Sequence, residues 1–301
     1  MIKAYLQLMR PANIITAIAD ILLGFAISGA IIEIIDQGNG WFYVPQAKTL
    51  GWLILSTVGL YGGGVVFNDV FDANLDSTER PERPIPSKRA SKGGATILGS
   101  ILLFIGIACA SQVSATSGVI ALIVGSLAII YDAWGKHQTL IGPINMGACR
   151  GGNLLLGVSA VTSSLSGYWF VALVPIIYIA AITAISRGEV FGGNRKAMTI
   201  AVYMYLTVIL FILSLSYIGP HPVWQSVPFL VLFCYLIFPA LLKARRYQQG
   251  SLIGKAVKAG VIALIVMDAT IAVGFAGWSY GLLILLLLPI SIIIAKGFAV
   301  T

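Results

Sequence analysis

The sequence contains little charge. Only 10% of its 301 residues are Asp, Glu, Lys or Arg, whereas a soluble domain usually carries about 25%. Hydrophobic residues make up 58% of the chain, and the longest polar stretch, from Asn74 to Gly94, is too short for a separate soluble domain. These features exclude a protein whose whole surface faces water. They predict one integral-membrane domain over residues 1–301.

Cysteine and histidine are also scarce. The three cysteines, Cys109, Cys149 and Cys234, lie within apolar runs and lack the spacing of metal ligands. The two histidines, His137 and His221, have no partner pattern either. We therefore expect thiols that are buried as small hydrophobic side chains.

Long apolar runs are abundant. A helix needs about 20 apolar residues to cross the hydrocarbon core of a bilayer. Runs of suitable length cover residues 12–35, 50–72, 94–112, 115–133, 142–162, 168–186, 198–218, 223–243, 256–277 and 279–296. The sequence thus predicts an all-α fold, a polytopic membrane helical bundle of about nine to ten transmembrane helices.

The net charge of +8 reports topology rather than binding of nucleic acid. Of the nineteen Lys and Arg residues, all except Lys48 fall on one side of the predicted spans. The positive-inside rule makes that side cytoplasmic, together with the N-terminus. We therefore predict a multi-pass protein of a prokaryotic inner or plasma membrane. Its basic side would face lipid headgroups or an anionic substrate, and no nucleic acid.

An acidic cluster ends the second predicted span. Its members are Asn68, Asp69, Asp72 and Asp76. Asn68, Asp72 and Asp76 are four residues apart and share one stripe of a helix, with Asp69 at its border. Adjacent carboxylates repel one another, and Mg²⁺ relieves this repulsion because it binds carboxylates, phosphate oxygens and water. An acidic edge at the membrane interface is the alternative, but such an edge would show one or two acids out of register. The register predicts a site where Mg²⁺ holds a diphosphate leaving group.

The loop after the acidic cluster is basic and rich in proline. Its cations are Arg80, Arg83, Lys88, Arg89 and Lys92, and its prolines are Pro81, Pro84 and Pro86. Because proline stiffens the backbone, these cations are expected to stay near the acids, where Arg and Lys bind phosphate well. For Lys88, Arg89 and Lys92, a topological charge without further role is an equal alternative. Arg83 is predicted to be functional.

Five elements of the sequence resemble the UbiA superfamily of membrane prenyltransferases. In chain order they are Arg10-Pro11-x-Asn13, the cluster from Asn68 to Asp76 (resembling the first Asp-rich motif), Arg83-Pro84-Ile85-Pro86-Ser87, Tyr131-x-x-x-x-Lys136, and the segment from Asn145 to Asn153 with Arg150 between them. The resemblance covers nearly the whole chain with matching spacing.

This resemblance implies a UbiA-like bundle around a central cavity that opens laterally to lipid. It implies Mg²⁺ as cofactor, and a polyprenyl diphosphate and a lipophilic, often aromatic, acceptor as substrates. The metal ligands expected on this basis are Asn68, Asp69, Asp72 and Asp76. The catalytic residues expected are Asp69, Asp72, Lys136 and Arg187. The substrate-binding residues expected are Arg83, Tyr131, Asn145, Arg150, Asn153, Glu189, Asn194, Arg195 and Lys196.

The chain departs from the family after the sixth predicted span. The family carries there a second motif, Asp-x-x-Asp-x-x-x-Asp followed by Arg-Lys, that typically holds a second metal. In this chain the three aspartate positions are Arg187, Val190 and Asn194, and only Glu189 offers a carboxylate. Arg187 is predicted to replace the second metal by pairing with phosphate oxygens. The alternative is that catalysis is lost and binding remains.

The same segment, from Ser186 to Arg195, also resembles a divergent UbiA-like subgroup called EboC. That subgroup accompanies bacterial gene sets linked to moving secondary-metabolite precursors across the membrane. Two functions are therefore open. The first is Mg²⁺-dependent transfer of a prenyl group to a lipophilic acceptor, with an aromatic acceptor favoured. The second is a non-catalytic binding component of a system that handles or exports a metabolite or lipid.

Two aspartates, Asp20 and Asp268, lie deep within predicted spans. An uncompensated charge at that depth is expensive. Each aspartate is therefore expected either to be neutral and hydrogen-bonded or to line the cavity and contact the acceptor.

Overall fold

The structure, a computed structural model, describes residues 2–31, 44–186 and 195–298. Over these residues it is helical and contains no β-strand. The α-helices are α1 (Ile2–Met9), α2 (Pro11–Ile27), α3 (Val44–Phe71), α4 (Ala73–Glu79), α5 (Lys92–Ser111), α6 (Ala115–Ala133), α7 (Ile141–Val158), α8 (Ser164–Tyr168), α9 (Leu173–Ser186), α10 (Arg195–Ile218), α11 (Val227–Tyr247), α12 (Gly250–Leu285) and α13 (Leu287–Gly297). Short 3-10 turns cover Gly135–His137, Trp169–Ala172 and Val223–Gln225. The predicted all-α class is confirmed.

Each predicted span overlaps a helix of the described chain. Seven helical segments of the described chain are long and apolar enough to cross a membrane, and α1 with α2, bent by 43°, supply an eighth. Helix α7 is not among them, because its polar residues lower its hydropathy. The predicted boundary between the ninth and tenth spans coincides with a break at Gly277, where φ is 79° and two helices meet within Gly250–Gly297.

The core of the bundle is built around α12. Every residue from Ala263 to Phe275 in this helix is buried, as expected of a helix that is enclosed on all sides. The outer helices instead expose large apolar side chains. Phe104 on α5 is 73% exposed and Tyr235 on α11 is 72% exposed. Exposed apolar surface of this extent fits contact with lipid.

Helices α2 and α7 pack backbone against backbone. A Cβ atom added at Gly157 would lie 2.7 Å from the carbonyl oxygen of Ile21, and one added at Gly24 would collide with the carbonyl oxygen of Leu154. Small residues permit such approaches in membrane bundles. The close approach places polar side chains of the two helices in direct contact next to a central cavity.

The junction between α1 and α2 has unusual backbone geometry. Arg10 adopts the left-handed conformation, with φ 48° and ψ 66°, which is uncommon for a residue other than glycine. Pro11 then occupies the first turn of α2, where its missing N–H costs no helical hydrogen bond. The bend directs the Arg10 side chain toward the end of α3.

Candidate active site

The acidic cluster lies at the junction of α3 and α4. Asp72 joins the two helices with φ −83° and ψ 0°. Helical hydrogen bonding continues across it, because the Asp72 N–H donates to the Asn68 carbonyl at 3.0 Å and the Asp76 N–H donates to the Asp72 carbonyl at 2.8 Å. The four-residue register predicted for these side chains is therefore retained in the backbone.

Two arginines hold the buried carboxylates of the cluster. Arg10 Nη2 lies 2.7 Å from Asp69 Oδ1. Arg83 Nη1 lies 3.3 Å from the same oxygen and 2.7 Å from Asp76 Oδ2. The side chains of Asp69 and Asp76 are only 7% and 6% exposed. The basic loop therefore folds back onto the acids, as predicted for Arg83.

The other two members of the cluster contact the end of α6. Lys136 Nζ lies 2.5 Å from Asp72 Oδ1, and Asn68 Nδ2 donates to Asp132 Oδ1 at 2.8 Å. Asp72 is the most exposed carboxylate of the cluster, at 19%. The Tyr131-x-x-x-x-Lys136 element is thus brought against the Asp-rich element.

The donor set of the cluster fits Mg²⁺. Its carboxylate and amide oxygens are hard ligands, and Mg²⁺ is usually held by one or two carboxylates with waters and substrate phosphates. Within the described part of the chain, no three His, Cys, Asp or Glu side chains converge on one point. The carboxylates face Arg10, Arg83 and Lys136 instead. An incoming Mg²⁺ diphosphate would exchange these partners, since the cations suit phosphate and the carboxylates suit the metal.

The remaining cations of the basic loop have different surroundings. Arg89 donates to Gln7 Oε1 at 2.8 Å and to the Glu82 carbonyl at 2.5 Å. The contact with Gln7 ties the loop to α1, and the contact with Glu82 lies within the loop. Lys88 and Lys92 are exposed. The geometry assigns Arg89 a structural contact and brings only Arg83 of this loop to the acids.

A cavity of about 290 Å³ lies beside the cluster, enclosed by α2, α3, α6, α7, α9 and α12. Six residues named in the elements that resemble the family line it: Arg10, Asn13, Asn68, Tyr131, Arg150 and Asn153. The central cavity implied by the resemblance is therefore present. Its charged and amide side chains come from α2, α3, α6 and α7, whereas α9 and α12 contribute mainly apolar side chains, among them Ile179, Ile182 and Leu264.

A buried polar cluster supports the deep end of the cavity. Arg150 Nε lies 2.6 Å from Asp20 Oδ2, and Arg150 also donates to the Thr16 carbonyl. The guanidinium carbon lies 5.9 Å from the centre of the Tyr61 ring, within the range of a cation–π contact. Asn153 donates to Asp20 Oδ2 at 2.9 Å. Arg150 is thus held as one half of a buried ion pair.

The two intramembrane aspartates belong to this cluster. Asp20 on α2 and Asp268 on α12 are each 1% exposed, and their carboxyl groups interact with one another. Arg150 and Asn153 line the cavity in front of them. The structure therefore favours the hydrogen-bonded role over direct contact with an acceptor.

Other predicted site residues lie elsewhere. Asn145 is buried between α7 and α6, where its amide can donate to the Leu127 carbonyl at 3.1 Å and accept from the Tyr131 N–H at 3.3 Å. Arg195 and Lys196 begin α10 and are exposed. The predicted residues Arg187, Glu189 and Asn194 lie outside the described residues, as does most of the segment that resembles EboC.

The sequence interpretation did not identify Asp132, Thr16 and Tyr61, which also line the cavity. For Asp132 a signal was available, since an acid at the end of an apolar run is a functional candidate by default. Tyr61 precedes Asn68 by two helical turns and so shares its face. Thr16 carries no such signal, because its position depends on the packing of α2.

Comparison with known proteins identifies a family for this chain. The family model described as UbiA prenyltransferase family matches residues 37–256. A digeranylgeranylglyceryl phosphate synthase from Methanothrix thermoacetophila is 29% identical over 236 residues, covering 71% of this chain and 79% of the relative.

Two solved structures share the fold. A UbiA homolog from Aeropyrum pernix K1 has a TM-score of 0.67 at 16% identity, covering 85% of this chain and 97% of its own. A UbiA homolog from Archaeoglobus fulgidus bound to DMAPP and Mg²⁺ has a TM-score of 0.59 at 14% identity, covering 89% of this chain and 99% of its own.

Proposed function

The chain belongs to the UbiA prenyltransferase family, and from this premise we propose that it transfers a prenyl group from a polyprenyl diphosphate to a lipophilic acceptor within the membrane. The observation that carries the proposal is the matched set of charges at the end of α3. Three carboxylates are paired with three cations there. Such a set can receive a metal and a diphosphate together.

Different residues of the chain are proposed to bind the metal, the phosphate oxygens and the prenyl chain of the donor. Asn68, Asp69, Asp72 and Asp76 would hold Mg²⁺, which would neutralise the diphosphate as it leaves. Arg83 and Lys136, released from the carboxylates, would bind the phosphate oxygens. The apolar wall formed by α9 and α12 offers a surface for the prenyl chain. Arg10 lies at the boundary between these two regions.

The acceptor is proposed more broadly than the donor. The sequence interpretation favoured an aromatic acceptor, whereas the similar synthases are named for a glyceryl phosphate product. Both kinds of acceptor would enter a cavity that is polar near Tyr131 and Asn68. We also propose that the Asp-rich end faces the cytoplasm of a prokaryotic cell, on the charge distribution of the loops.

Turnover distinguishes this proposal from a protein that only binds. Purified protein in lipid nanodiscs would be incubated with labelled geranyl, farnesyl or geranylgeranyl diphosphate, Mg²⁺ and a lipid extract of the source cells. We expect release of pyrophosphate and a labelled lipid-soluble product, and the loss of both when EDTA removes Mg²⁺. Binding of the donor without release of pyrophosphate would contradict transfer and favour the non-catalytic alternative.

Arg187 is proposed as the group that replaces the second metal. Arg187→Ala should lower kcat by about tenfold to a hundredfold, because a positioned cation that stabilises developing charge contributes on this order. The Mg²⁺ concentration needed for half-maximal rate should change little. The matched control is Arg246→Ala, at an exposed cation near the end of α11. A variant with the kcat of the wild type would remove Arg187 from the site.

A further inference from the structure

We propose that α13 is a displaceable cover over the gap between α2 and α12, and that it limits the entry of donors with long prenyl chains into the central cavity. The inference rests on the proposed function, because it specifies which donors reach the site. Helix α13 (Leu287–Gly297) lies beyond residue 256, where the match to the family model ends. Its role is therefore one that the family match does not assign.

A second, small cavity lies between α2, α12 and α13. Asn13, Thr16 and Val261 line both this cavity and the central one, so a single layer of side chains separates the two. Ser291 and Ala295 of α13 line the second cavity and not the central one. The gap between α2 and α12 therefore leads from the central cavity to the inner face of α13.

The sizes of the two cavities indicate a route that is closed in this conformation. The central cavity measures about 290 Å³, at the lower end of the about 300–1,000 Å³ that holds one small ligand. A long prenyl chain together with an acceptor exceeds this volume, so part of the chain must extend outside the cavity. The second cavity measures only about 10 Å³, which is room for about one water molecule. A chain can pass there only if α13 moves.

The side chains along this gap suit a prenyl diphosphate. Val261 and Ile262 of α12 and Ile292 of α13 supply apolar surface. Lys258, one helical turn before Ile262, also lines the second cavity and is exposed. An ammonium group binds phosphate oxygens well. A cation at the edge of an apolar gap therefore matches a ligand with an anionic head and an apolar chain.

Helix α13 is weakly attached to the bundle. Of its residues, all of which the structure describes, only Ser291 is buried, and Ser291 Oγ donates to the Ala12 carbonyl of α2 at 3.0 Å. Ile293 is 67% exposed. The preceding segment is fixed more firmly, because the Tyr280 hydroxyl is buried and donates to the Leu22 carbonyl at 2.8 Å. Since few buried apolar contacts make local opening easy, α13 can separate from α2 while the bundle stays folded.

Loosening the cover tests the inference through binding rather than turnover. Association rates of two inert donor analogues, dimethylallyl and geranylgeranyl thiodiphosphate, would be measured in nanodiscs with Mg²⁺. Ser291→Ala removes the hydrogen bond to α2. It should raise the association rate of the geranylgeranyl analogue by about twofold to tenfold, the effect of one hydrogen bond on the opening equilibrium. The rate for the dimethylallyl analogue should stay unchanged, because its single isoprene unit fits within the central cavity.

Locking the cover should have the opposite effect. Ala12 and Ala295 line the second cavity from α2 and α13, so Ala12→Cys and Ala295→Cys place two thiols that a disulfide or a short thiol cross-linker can join. The native Cys109, Cys149 and Cys234 would first be replaced by alanine. Cross-linking should slow association of the geranylgeranyl analogue at least about tenfold, because the open state is no longer populated. The same protein without the cross-link is the control, and the dimethylallyl rate should be equal in both.

Further outcomes separate this inference from the proposed function. Ser214→Ala removes a hydroxyl that donates to the Leu210 carbonyl at an exposed position of α10, and it should change neither rate. An unchanged geranylgeranyl rate in Ser291→Ala or in the cross-linked protein overturns the inference, and Ser291→Ala decides by itself if no cross-link forms. Equal changes for the two analogues also overturn it, because α13 would then act on the whole site. Failure of both analogues to bind the wild type would instead overturn the proposed function.

Discussion

Replacing Asp72 by asparagine is expected to lower prenyl transfer by about 10³-fold, because a metal that stabilises a departing diphosphate contributes several kcal/mol to catalysis. Asp72 is the most exposed carboxylate of the cluster and is paired with Lys136, so it can turn from that cation toward Mg²⁺. The substitution keeps the shape of the side chain and removes its charge. Release of pyrophosphate from labelled geranylgeranyl diphosphate would measure the loss. The Mg²⁺ requirement should rise in parallel.

Two further variants distinguish loss of metal binding from loss of phosphate binding and from a nonspecific effect of removing charge. Glu79→Gln makes the same chemical change at an exposed site in the adjacent helix α4 and should retain the wild-type rate. Lys136→Met should raise the KM for the diphosphate without changing the Mg²⁺ requirement, since the cation is proposed to bind phosphate. If Asp72→Asn turned over as fast as the wild type, the cluster would not be the metal site.

Arg150→Met is expected to destabilise the fold by about 3–5 kcal/mol, which is the usual cost of removing one partner of a buried ion pair. The variant leaves Asp20 and Asp268 facing one another without their cation. It also removes the donor to the Thr16 carbonyl. Thermal unfolding of the purified protein in detergent would measure the loss. The expected sign is a lower unfolding temperature.

A second substitution should restore much of this stability. Asp20→Leu combined with Arg150→Met removes both charges, and apolar replacement of a complete buried pair is often neutral. Arg246→Met, at an exposed position near the end of α11, is the matched control and should unfold as the wild type does. Stability of Arg150→Met equal to the wild type, or no recovery in the double variant, would show that the pair is not what holds α2 to α7.

Much of the candidate site could be predicted because its central element is local. Asn68, Asp69, Asp72 and Asp76 lie within nine consecutive positions. Helical geometry alone therefore places their side chains near one another. The loop with Arg83 follows directly and folds back through contacts with Asp69 and Asp76. The roles proposed for Arg187, Glu189 and Asn194 remain sequence predictions. The same holds for membership of the EboC subgroup.

Other contacts of the candidate site join helices that are distant in sequence, so the sequence did not predict them. Asp132 meets Asn68 across 64 positions, and Lys136 meets Asp72 across the same separation. Asn153 meets Asp20 across 133. Which faces of α2, α3, α6 and α7 meet is set by packing, and no local pattern encodes it. The predicted contribution of Asn145 to substrate binding illustrates the difficulty, since its side chain lies between two helices.

The amino-acid sequence by itself determined the class of the protein and the position of its acidic cluster. Apolar runs in a bilayer must satisfy their backbone hydrogen bonds within helices, and a polar register at the end of such a run is set by the helical repeat. Only the tertiary structure decided which cation faces which carboxylate, that Asp20 and Asp268 share one buried site, and that Asp132 enters the cavity wall. These contacts follow from how closely and at what rotation the helices pack, as at Gly24 and Gly157.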